Sequence, residues 1–238
     1  MQPGTAAKGL SVIVRTMGRP TLPRAFAALS AQSLRPDEIV FVDSSGTGIE
    51  PAAREIPVTV VRERSRRLDR SHAANAAFAA AHGEWIAFLD EDDDLDPRHY
   101  ETIFAAIRAT RLPVAYSQTR MVAADGTQRV LGGPFHRPML FQTNYMAIHA
   151  PVFHRSFIDA GCRFDTTLEV FEDWDFWLQL AMRTAFAFTG APTAIYHVES
   201  GVSGGGGGAN LDRAAAMRSR DKLMAKWAAA RAALERLG

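Results

Sequence analysis

The sequence predicts an α/β fold with a mostly parallel, mixed central sheet, followed by a C-terminal helix. Short apolar runs at 10–14, 38–42 and 85–89 are typical of strands that are buried on both faces. Amphipathic helical patterns separate these runs, and strands that alternate with helices form parallel β-α-β units. A composition of 47% hydrophobic and 22% charged residues is that of a globular protein, and 238 residues suit one domain with an appendage.

The first half of the chain alternates strands and helices. Leu22, Phe26 and Leu29 recur at helical spacing. We expect Gly83 to end the second helix as its C′ residue. In chain order the predicted elements are a strand at 10–14, a helix ending at Gln32, strands at 38–42 and 57–61, a helix at 72–82 and a strand at 85–89.

The second half is less regular. Asp96 and Pro97 are suited to be the N-cap and first residue of a helix. The following predicted elements are a strand at 114–119, a hairpin turn at 124–126, an irregular region at 132–165, a helix from Glu172 and a short strand at 194–196. The predicted organisation is a domain at 1–203 with halves at about 9–115 and 116–203, a mobile glycine-rich loop at 204–210 and an amphipathic helix at 211–238.

Composition excludes several classes of protein. Lys and Arg total 27 against 26 acidic residues, which argues against a nucleic-acid-binding protein. The single Cys162 excludes an internal disulfide and a cysteine-based zinc site. No apolar run reaches the roughly 18 residues of a spanning helix, and residues 1–8 lack a signal-peptide pattern. We therefore expect a cytoplasmic protein.

The C-terminal helix carries an apolar stripe with basic residues around it, and the stripe is formed by Met217, Met224, Trp227, Leu234 and Leu237. Docking of this helix on the domain, or pairing with a second subunit to form a homodimer, is the favoured interpretation. The alternative is peripheral contact with an anionic membrane surface, which would place the protein at the inner face of the membrane.

Polar residues follow three predicted strands. Thr16, Asp43 and the five consecutive carboxylates at 90–94 all come directly after strand ends. Ligands of such sheets bind beyond the carboxyl ends of the strands, so these residues should share one site. Five adjacent carboxylates repel one another unless a cation or water screens them. Mg²⁺ or Mn²⁺ with a substrate diphosphate would explain the run, and a solvated acidic turn is the alternative.

Several segments resemble glycosyltransferase family 2. Residues 83–93 resemble the segment with the family's Asp-X-Asp motif, and 11–20 its opening strand and turn. Residues 31–45 resemble its second strand and acidic turn, and Glu172 opens a stretch similar to its Glu-Asp motif. Asn75 also stands where the family often has Asn. The resemblance extends from about residue 11 to 197.

This resemblance implies the A-type glycosyltransferase fold and inverting, metal-dependent transfer of a sugar from a nucleotide diphosphate donor to a carbohydrate or other hydroxyl acceptor. Asp173 matches the catalytic base, although it could also cap its helix. Asp92 matches the ligand of Mn²⁺ or Mg²⁺, with His197 as a further ligand. The acceptor residues would be Glu172, Trp174 and His149.

The donor would contact residues after the strands and in the arginine-rich segment. Ser44 replaces the second of two acidic residues that often hold the nucleotide base, which leaves a uridine donor open to question. A nucleotidyltransferase and a non-catalytic nucleotide-sugar-binding protein are the alternatives. The predicted donor-binding residues are Thr16, Arg19, Asp43, Ser44, Arg67, Arg70, Asp90 and Glu91.

Overall fold

The computed structural model describes residues 9–51, 55–63, 66–198 and 212–236. The predicted glycine-rich loop at 204–210 lies outside these residues. The strands of the described residues are β1 (Leu10–Thr16), β2 (Glu38–Asp43), β3 (Val58–Arg62), β4 (Trp85–Phe88), β5 (Asp93–Leu95), β6 (Val114–Tyr116), β7 (Thr119–Val122), β8 (Gln128–Leu131), β9 (Pro151–His154), β10 (Ala187–Phe188) and β11 (Ala194–His197). Its helices are α1 (Leu22–Ser30), α2 (Arg70–Ala80), α3 (His99–Thr110), α4 (Arg137–Leu140), α5 (Ser156–Asp159), α6 (Glu172–Ala181), α7 (Arg213–Lys226) and α8 (Ala228–Glu235).

The central sheet has seven strands in the order β10-β6-β9-β4-β1-β2-β3. Strand β1 lies in its middle and pairs in parallel with both β2 and β4. Every residue of β1 is buried, which explains its continuous apolar run. The register sets Thr16 beside Asp43, so the polar residues after these strands meet at one edge. The predicted mostly parallel, mixed sheet is confirmed.

Strand β9 comes from the region predicted to be irregular. It lies between β4 and β6 and runs antiparallel to both. Four residues without a clear alternation carry little local signal for a strand. The neighbours on either side, brought together by the rest of the fold, supply its hydrogen bonds.

A second sheet has the order β5-β11-β7-β8. The predicted hairpin turn joins β7 to β8, which are antiparallel. Strand β5 begins within the acidic run and pairs with β11, where Asp93 lies opposite Tyr196. This pairing fixes the end of the acidic run in a short strand instead of a free solvated turn.

Helices cover both faces of the central sheet. Helices α1 and α3 contribute to one apolar cluster, and α2 and α6 contribute to the other. In the second cluster the rings of Phe164 and Phe176 stack with centroids 4.6 Å apart. Because α6 is anchored by this aromatic packing, its N-terminus is held at a fixed place relative to the sheet.

Several predicted helix boundaries are wrong by about two residues, including the end of α1, which stops at Ser30 and not at Gln32. Asp69 caps α2 by accepting from the His72 N–H, so the helix begins at Arg70. The helix ends at Ala80, and Gly83 is therefore not its C′ residue. Gly83 instead approaches β1 so closely that an added Cβ would lie 2.4 Å from the Gly9 carbonyl oxygen. Helix α3 begins at His99, two residues later than predicted. The backbone carbonyl oxygen of Asp96 accepts from the His99 N–H and closes a turn before the helix.

The C-terminal segment forms two helices instead of the single predicted helix, with the break at Trp227. Ala215, Ser219 and Leu223 form the buried side of α7. Of the predicted stripe, Met224, Trp227 and Leu234 pack against the core, Met217 is exposed, and Leu237 lies outside the described residues. The predicted docking on the domain is confirmed, since Leu223 is completely buried in the core cluster. Among the helices of the described residues, none has the length and apolar character needed to cross a membrane.

Candidate active site

A cavity of about 920 Å³ lies beyond the carboxyl ends of β1, β2 and β4. It is bounded on the other side by the start of α6 and by the segment that precedes β9. Of the predicted site residues, only Asp43 and His197 are absent from its wall. Those that line it are Thr16, Arg19, Ser44, Arg67, Arg70, Asp90, Glu91, Asp92, His149, Glu172, Asp173 and Trp174.

Glu91 organises the loop that follows β1. Its carboxylate accepts from the backbone N–H groups of Met17, Gly18 and Arg19 at 2.8, 3.1 and 2.8 Å. The Thr16 hydroxyl donates to the same carboxylate at 2.5 Å. These bonds satisfy the buried Glu91 carboxylate and hold the loop that forms the cavity floor. Thr16 and Glu91 therefore both stabilise the cavity wall.

Asp90 is held by Arg15, a residue that the sequence analysis missed. The guanidinium donates from Nε to Oδ1 at 2.8 Å and from Nη2 to Oδ2 at 2.6 Å. Burial opposes ionisation of Asp90, yet the facing Arg15 holds the pKa of this carboxyl below its usual value. A charged residue at the end of an otherwise apolar strand signals a buried partner, and that signal could have identified Arg15.

Asp92 faces the cavity and forms an ion pair with Arg19. Burial and the neighbouring carboxylates Asp93 and Asp90 raise the pKa of Asp92 to about 6. Arg24 donates to the Asp92 carbonyl oxygen at 2.6 Å and so fixes the backbone here. Asp92 is therefore a carboxylate crowded by like charges, with one cation already beside it.

Asp93 and His149 form a buried pair in the wall. Nδ1 of His149 lies 2.9 Å from Oδ2 of Asp93, and both side chains are almost completely buried. Although burial opposes protonation, Asp93 raises the pKa of His149 above its usual value. Within the described part of the chain, Oδ1 of Asp93 and Nε2 of His149 have no hydrogen-bond partner. The structure thus pairs His149 with the acidic run.

Glu172 and Asp173 begin α6 and face the acidic run across the cavity. Oε1 of Glu172 lies 3.9 Å from Arg15 Nη1 and 3.8 Å from Arg70 Nη1. Burial and the charge of Glu172 raise the pKa of Asp173 to about 7. The preceding residue, Phe171, has φ of 65°, a left-handed conformation that is uncommon outside glycine. This turn sets the direction in which α6 starts.

Trp174 closes the cavity near Asp173. It is almost completely buried, and its indole N–H donates to the Leu140 carbonyl oxygen at 2.6 Å. Its ring packs edge-on against Phe171. Trp174 therefore lies in the wall with little of its ring exposed for a sugar to stack on.

Asp43 lies below the cavity surface. Its Oδ2 accepts from the backbone N–H groups of Gly48 and Ile49 at 2.8 and 3.0 Å. Its Oδ1 accepts from the Ser45 hydroxyl at 2.6 Å. Burial opposes ionisation, and these bonds nevertheless hold the pKa of Asp43 below its usual value. Asp43 shapes the loop after β2, and its neighbour Ser44 is the residue that reaches the cavity.

His197 lies at the end of β11, away from the cavity wall. Its Nε2 is 3.8 Å from Oδ2 of Asp94, so it lies beside the end of the acidic run. His197 is not among the residues that line the cavity, and its role as a metal ligand stays a prediction.

Among the other residues that line the cavity, Asn144 and Arg220 have no sequence motif to mark them. Asn144 precedes β9 and donates to Asp173, and Arg220 projects from α7. With Arg67 and Arg70, Arg220 adds positive charge to a cavity whose floor is acidic. Guanidinium groups suit the oxygens of a diphosphate. The cavity can thus hold an anionic ligand between its arginines and present it to the carboxylates.

These features define the class of protein: the sheet, the acidic loop at its edge and the facing Glu-Asp pair are those of an A-type glycosyltransferase fold. The model of Glycosyl transferase family 2 matches residues 11–169. The chain therefore belongs to glycosyltransferase family 2.

Two curated proteins are similar in sequence. Succinoglycan biosynthesis protein ExoO of Rhizobium meliloti (strain 1021) is 29% identical over 208 residues, which cover 76% of this chain and 58% of that protein. Uncharacterized glycosyltransferase YwdF of Bacillus subtilis (strain 168) is 24% identical over 184 residues, covering 72% of this chain and 68% of that protein. The chain thus spans little more than half the length of the Rhizobium protein.

Solved structures support the fold. S. aureus TarS 1–349 matches with a TM-score of 0.59 at 17% identity, covering 80% of this chain and 60% of that chain. The structure of TarS 1–349 in complex with UDP-GlcNAc matches with a TM-score of 0.63 at 15% identity, covering 79% of this chain and 58% of that chain. At such low identity the likeness is one of fold.

Proposed function

We propose that this protein is an inverting glycosyltransferase that moves a sugar from a nucleoside diphosphate donor to a hydroxyl acceptor. One observation carries the proposal. Arg15 contacts Asp90 Oδ2 at 2.6 Å and lies 3.9 Å from Glu172 Oε1, so the two acidic motifs face each other across one cavity. A donor bound at the first motif would therefore have an acid pair opposite it.

Asp173 is suited to be the general base. In the transfer, the acceptor oxygen attacks the anomeric carbon and gives its proton to Asp173. The bond from that carbon to the diphosphate oxygen breaks, and the electron pair leaves with the nucleoside diphosphate. A base works best when its pKa is near the working pH, and burial with the charge of Glu172 raises the pKa of Asp173 to about 7.

Mn²⁺ or Mg²⁺ remains part of the proposal. Within the described ranges, no group of three or more His, Cys, Asp or Glu side chains is arranged to hold a metal alone. Asp92 lines the cavity, and burial with the like charges of Asp93 and Asp90 raises its pKa to about 6, so a cation beside it would relieve this crowding. One carboxylate with diphosphate oxygens is a common way to bind these ions, so the residues fit a shared site at Asp92. When bound there, the ion would stabilise the negative charge of the departing diphosphate.

The relatives suggest a setting for this activity. The name of the Rhizobium protein refers to succinoglycan biosynthesis, and a TarS structure contains UDP-GlcNAc. We infer that the chain acts in polysaccharide or glycoconjugate synthesis with a nucleotide-sugar donor. The cytoplasmic location, and the alternatives of homodimer or membrane contact through the C-terminal helices, stay predictions.

Neither alternative class fits the cavity as well. A nucleotidyltransferase has no need for a carboxylate opposite the acidic loop, whereas Asp173 stands there. A non-catalytic nucleotide-sugar-binding protein has no need for a base whose pKa is raised to about 7 by burial and Glu172. The glycosyltransferase proposal uses both features.

Asp173→Asn tests the proposal. We expect loss of transfer by a factor of about 10² or more, because the amide cannot take the acceptor proton, with donor binding retained. Transfer by the wild type should also fall as the pH drops below about 7, where Asp173 becomes protonated. Release of nucleoside diphosphate from UDP-, GDP- and dTDP-sugars with hydroxyl acceptors measures the reaction, and thermal shift measures donor binding.

Asp159→Asn is the matched control, because it replaces the same chemical group at an exposed position outside the cavity. It should leave both readouts at the wild-type level. Undiminished transfer by Asp173→Asn would remove the base from the proposal. Loss of donor binding in that variant would show that Asp173 belongs to the donor site instead.

A further inference from the structure

Asn144 lies in the segment between α4 and β9 and lines the cavity beside Asp173. Its Nδ2 group donates to Oδ2 of Asp173 at 3.1 Å. The two residues are far apart in sequence, and only the fold brings the segment before β9 against the start of α6.

The orientation of the Asn144 amide is fixed by its other end. Its Oδ1 accepts from the Met146 backbone N–H at 3.1 Å. With the amide turned over, its NH₂ group would face the Met146 N–H and its oxygen would face the Asp173 carboxylate. Both contacts would be repulsive, so the NH₂ group must point at Asp173.

The Asp173 carboxylate is held at both of its oxygens. Oδ1 accepts from the Trp174 backbone N–H at 2.7 Å, and Oδ2 accepts from Asn144. Each carboxylate oxygen has two lone pairs, so each keeps one for a further hydrogen. Two donors from different segments therefore fix the plane of the carboxylate and leave it able to accept a proton.

We propose that Asn144 is a positioning residue for the reaction, which holds the Asp173 carboxylate in the orientation that receives the proton of the acceptor hydroxyl. This inference rests on the proposed function of Asp173. Asn144 touches the base and acts through it, because orientation of a catalytic group within tenths of an ångström governs the rate.

Charged groups also surround Asp173, and Asn144 acts among them. Burial and Glu172 raise the pKa of Asp173, whereas the Trp174 N–H, Arg70 and Asn144 lower it. Arg15 also faces Asp173 from β1. A donor that is removed from a carboxylate leaves its charged form less stable, so loss of the Asn144 contact should move the titration of Asp173 to higher pH.

Asn144→Ser and Asn144→Asp separate positioning from local structure. Serine is neutral, can cap the Met146 N–H from the same position, and is too short to reach Asp173. Aspartate keeps the shape and the acceptor for Met146 but cannot donate when ionised. The titration of Asp173 is followed by carboxyl ¹³C NMR, with its signal assigned by its loss in Asp173→Asn.

We expect the midpoint of Asp173 to rise by about half a pH unit or more in Asn144→Ser, and by more in Asn144→Asp, where a like charge is added. With the donor identified in the transfer assay, kcat of Asn144→Ser should fall about tenfold with the donor KM unchanged. Asn75→Ser is the matched control, because Asn75 bonds both the N–H and the carbonyl of Phe164 and lies outside the cavity lining. It should lower the Tm without moving the midpoint of Asp173.

An unchanged midpoint in Asn144→Ser would overturn the inference, and so would a shift in Asn144→Asp alone, since that shift would reflect only the added charge. An equal shift in Asn75→Ser would also overturn it, because it would reflect a general loss of structure. If the midpoint moves as expected but Asp173→Asn still transfers sugar, the contact stands and the proposed role of Asp173 fails.

Discussion

At the scale of single residues, neighbours in the acidic run have different tasks. Asp90 is neutralised by Arg15, Glu91 organises the loop after β1, and Asp93 pairs with His149. Asp92 lines the cavity beside Arg19, and burial with the charges of Asp93 and Asp90 raises its pKa to about 6. The role of each carboxylate is therefore determined by the side chains and backbone groups that surround it.

This difference predicts how Mn²⁺ binds. Asp92→Asn should weaken the binding of Mn²⁺ in the presence of UDP by at least about tenfold, because it removes an anionic oxygen ligand. Electron paramagnetic resonance of free Mn²⁺ measures the affinity. Asp94→Asn is the matched control from the same run, since Asp94 faces His197 and not the cavity. Equal effects of the two substitutions, or no effect of Asp92→Asn, would contradict the shared site.

At the scale of elements, the central sheet depends on how closely α2, β1 and β4 approach at the edge where β1 and β4 begin, opposite the cavity. Gly83 links α2 to β4, and its N–H donates to the Ser11 hydroxyl at 2.7 Å. An added Cβ would lie 2.4 Å from the Gly9 carbonyl oxygen and 2.7 Å from the Ser11 nitrogen. These neighbours are backbone atoms of the central strand region and cannot move without shifting the sheet.

Gly83→Ala should therefore lower the free energy of unfolding by about 2–3 kcal/mol. Urea denaturation followed by circular dichroism measures this change. Gly133→Ala is the matched control, because an added Cβ there meets nothing within 4 Å and its φ is not in the left-handed region. Its effect should stay within about 0.5 kcal/mol. A loss as large in Gly133→Ala would show that the close approach is not the cause.

At the scale of the whole molecule, the C-terminal helices stabilise the side of the cavity that is formed by α6. Asp175 of α6 is completely buried and accepts from Lys226 Nζ at 2.9 Å and from Trp227 Nε1 at 2.8 Å. The Ser219 hydroxyl accepts from the Glu169 and Val170 N–H groups just before α6. The chain end is thus attached to both sides of the Glu-Asp pair.

Asp175→Asn should cost about 2–3 kcal/mol of stability, since it leaves Lys226 and Trp227 without their shared buried anion. Hydrogen exchange should become faster at the amides of α7 and α8. Glu169→Gln offers a control in the same interface, because its ion pair with Arg218 is exposed and should contribute less than about 1 kcal/mol. Unchanged exchange in Asp175→Asn would show that other contacts hold the helices.

Much of the fold could be predicted because buried strands leave local signals. The apolar runs identified β1, β2 and β4, and the polar residues after them identified the edge of the sheet. The family motifs then indicated which carboxylates face the cavity. Strand β9, the break at Trp227 and the start of α3 at His99 escaped prediction, because each depends on neighbours that are distant in sequence.

The sequence by itself determined the alternation of strands and helices, the family and most of the cavity-lining residues, because hydrophobic periodicity and short motifs are properties of adjacent residues. Only the tertiary structure decided that Arg15 joins the two acidic motifs, that Asn144 meets Asp173, and that Asp43 and His197 lie outside the cavity lining. Such contacts are made between segments far apart along the chain, and their partners are chosen by packing and charge once the sheet has assembled.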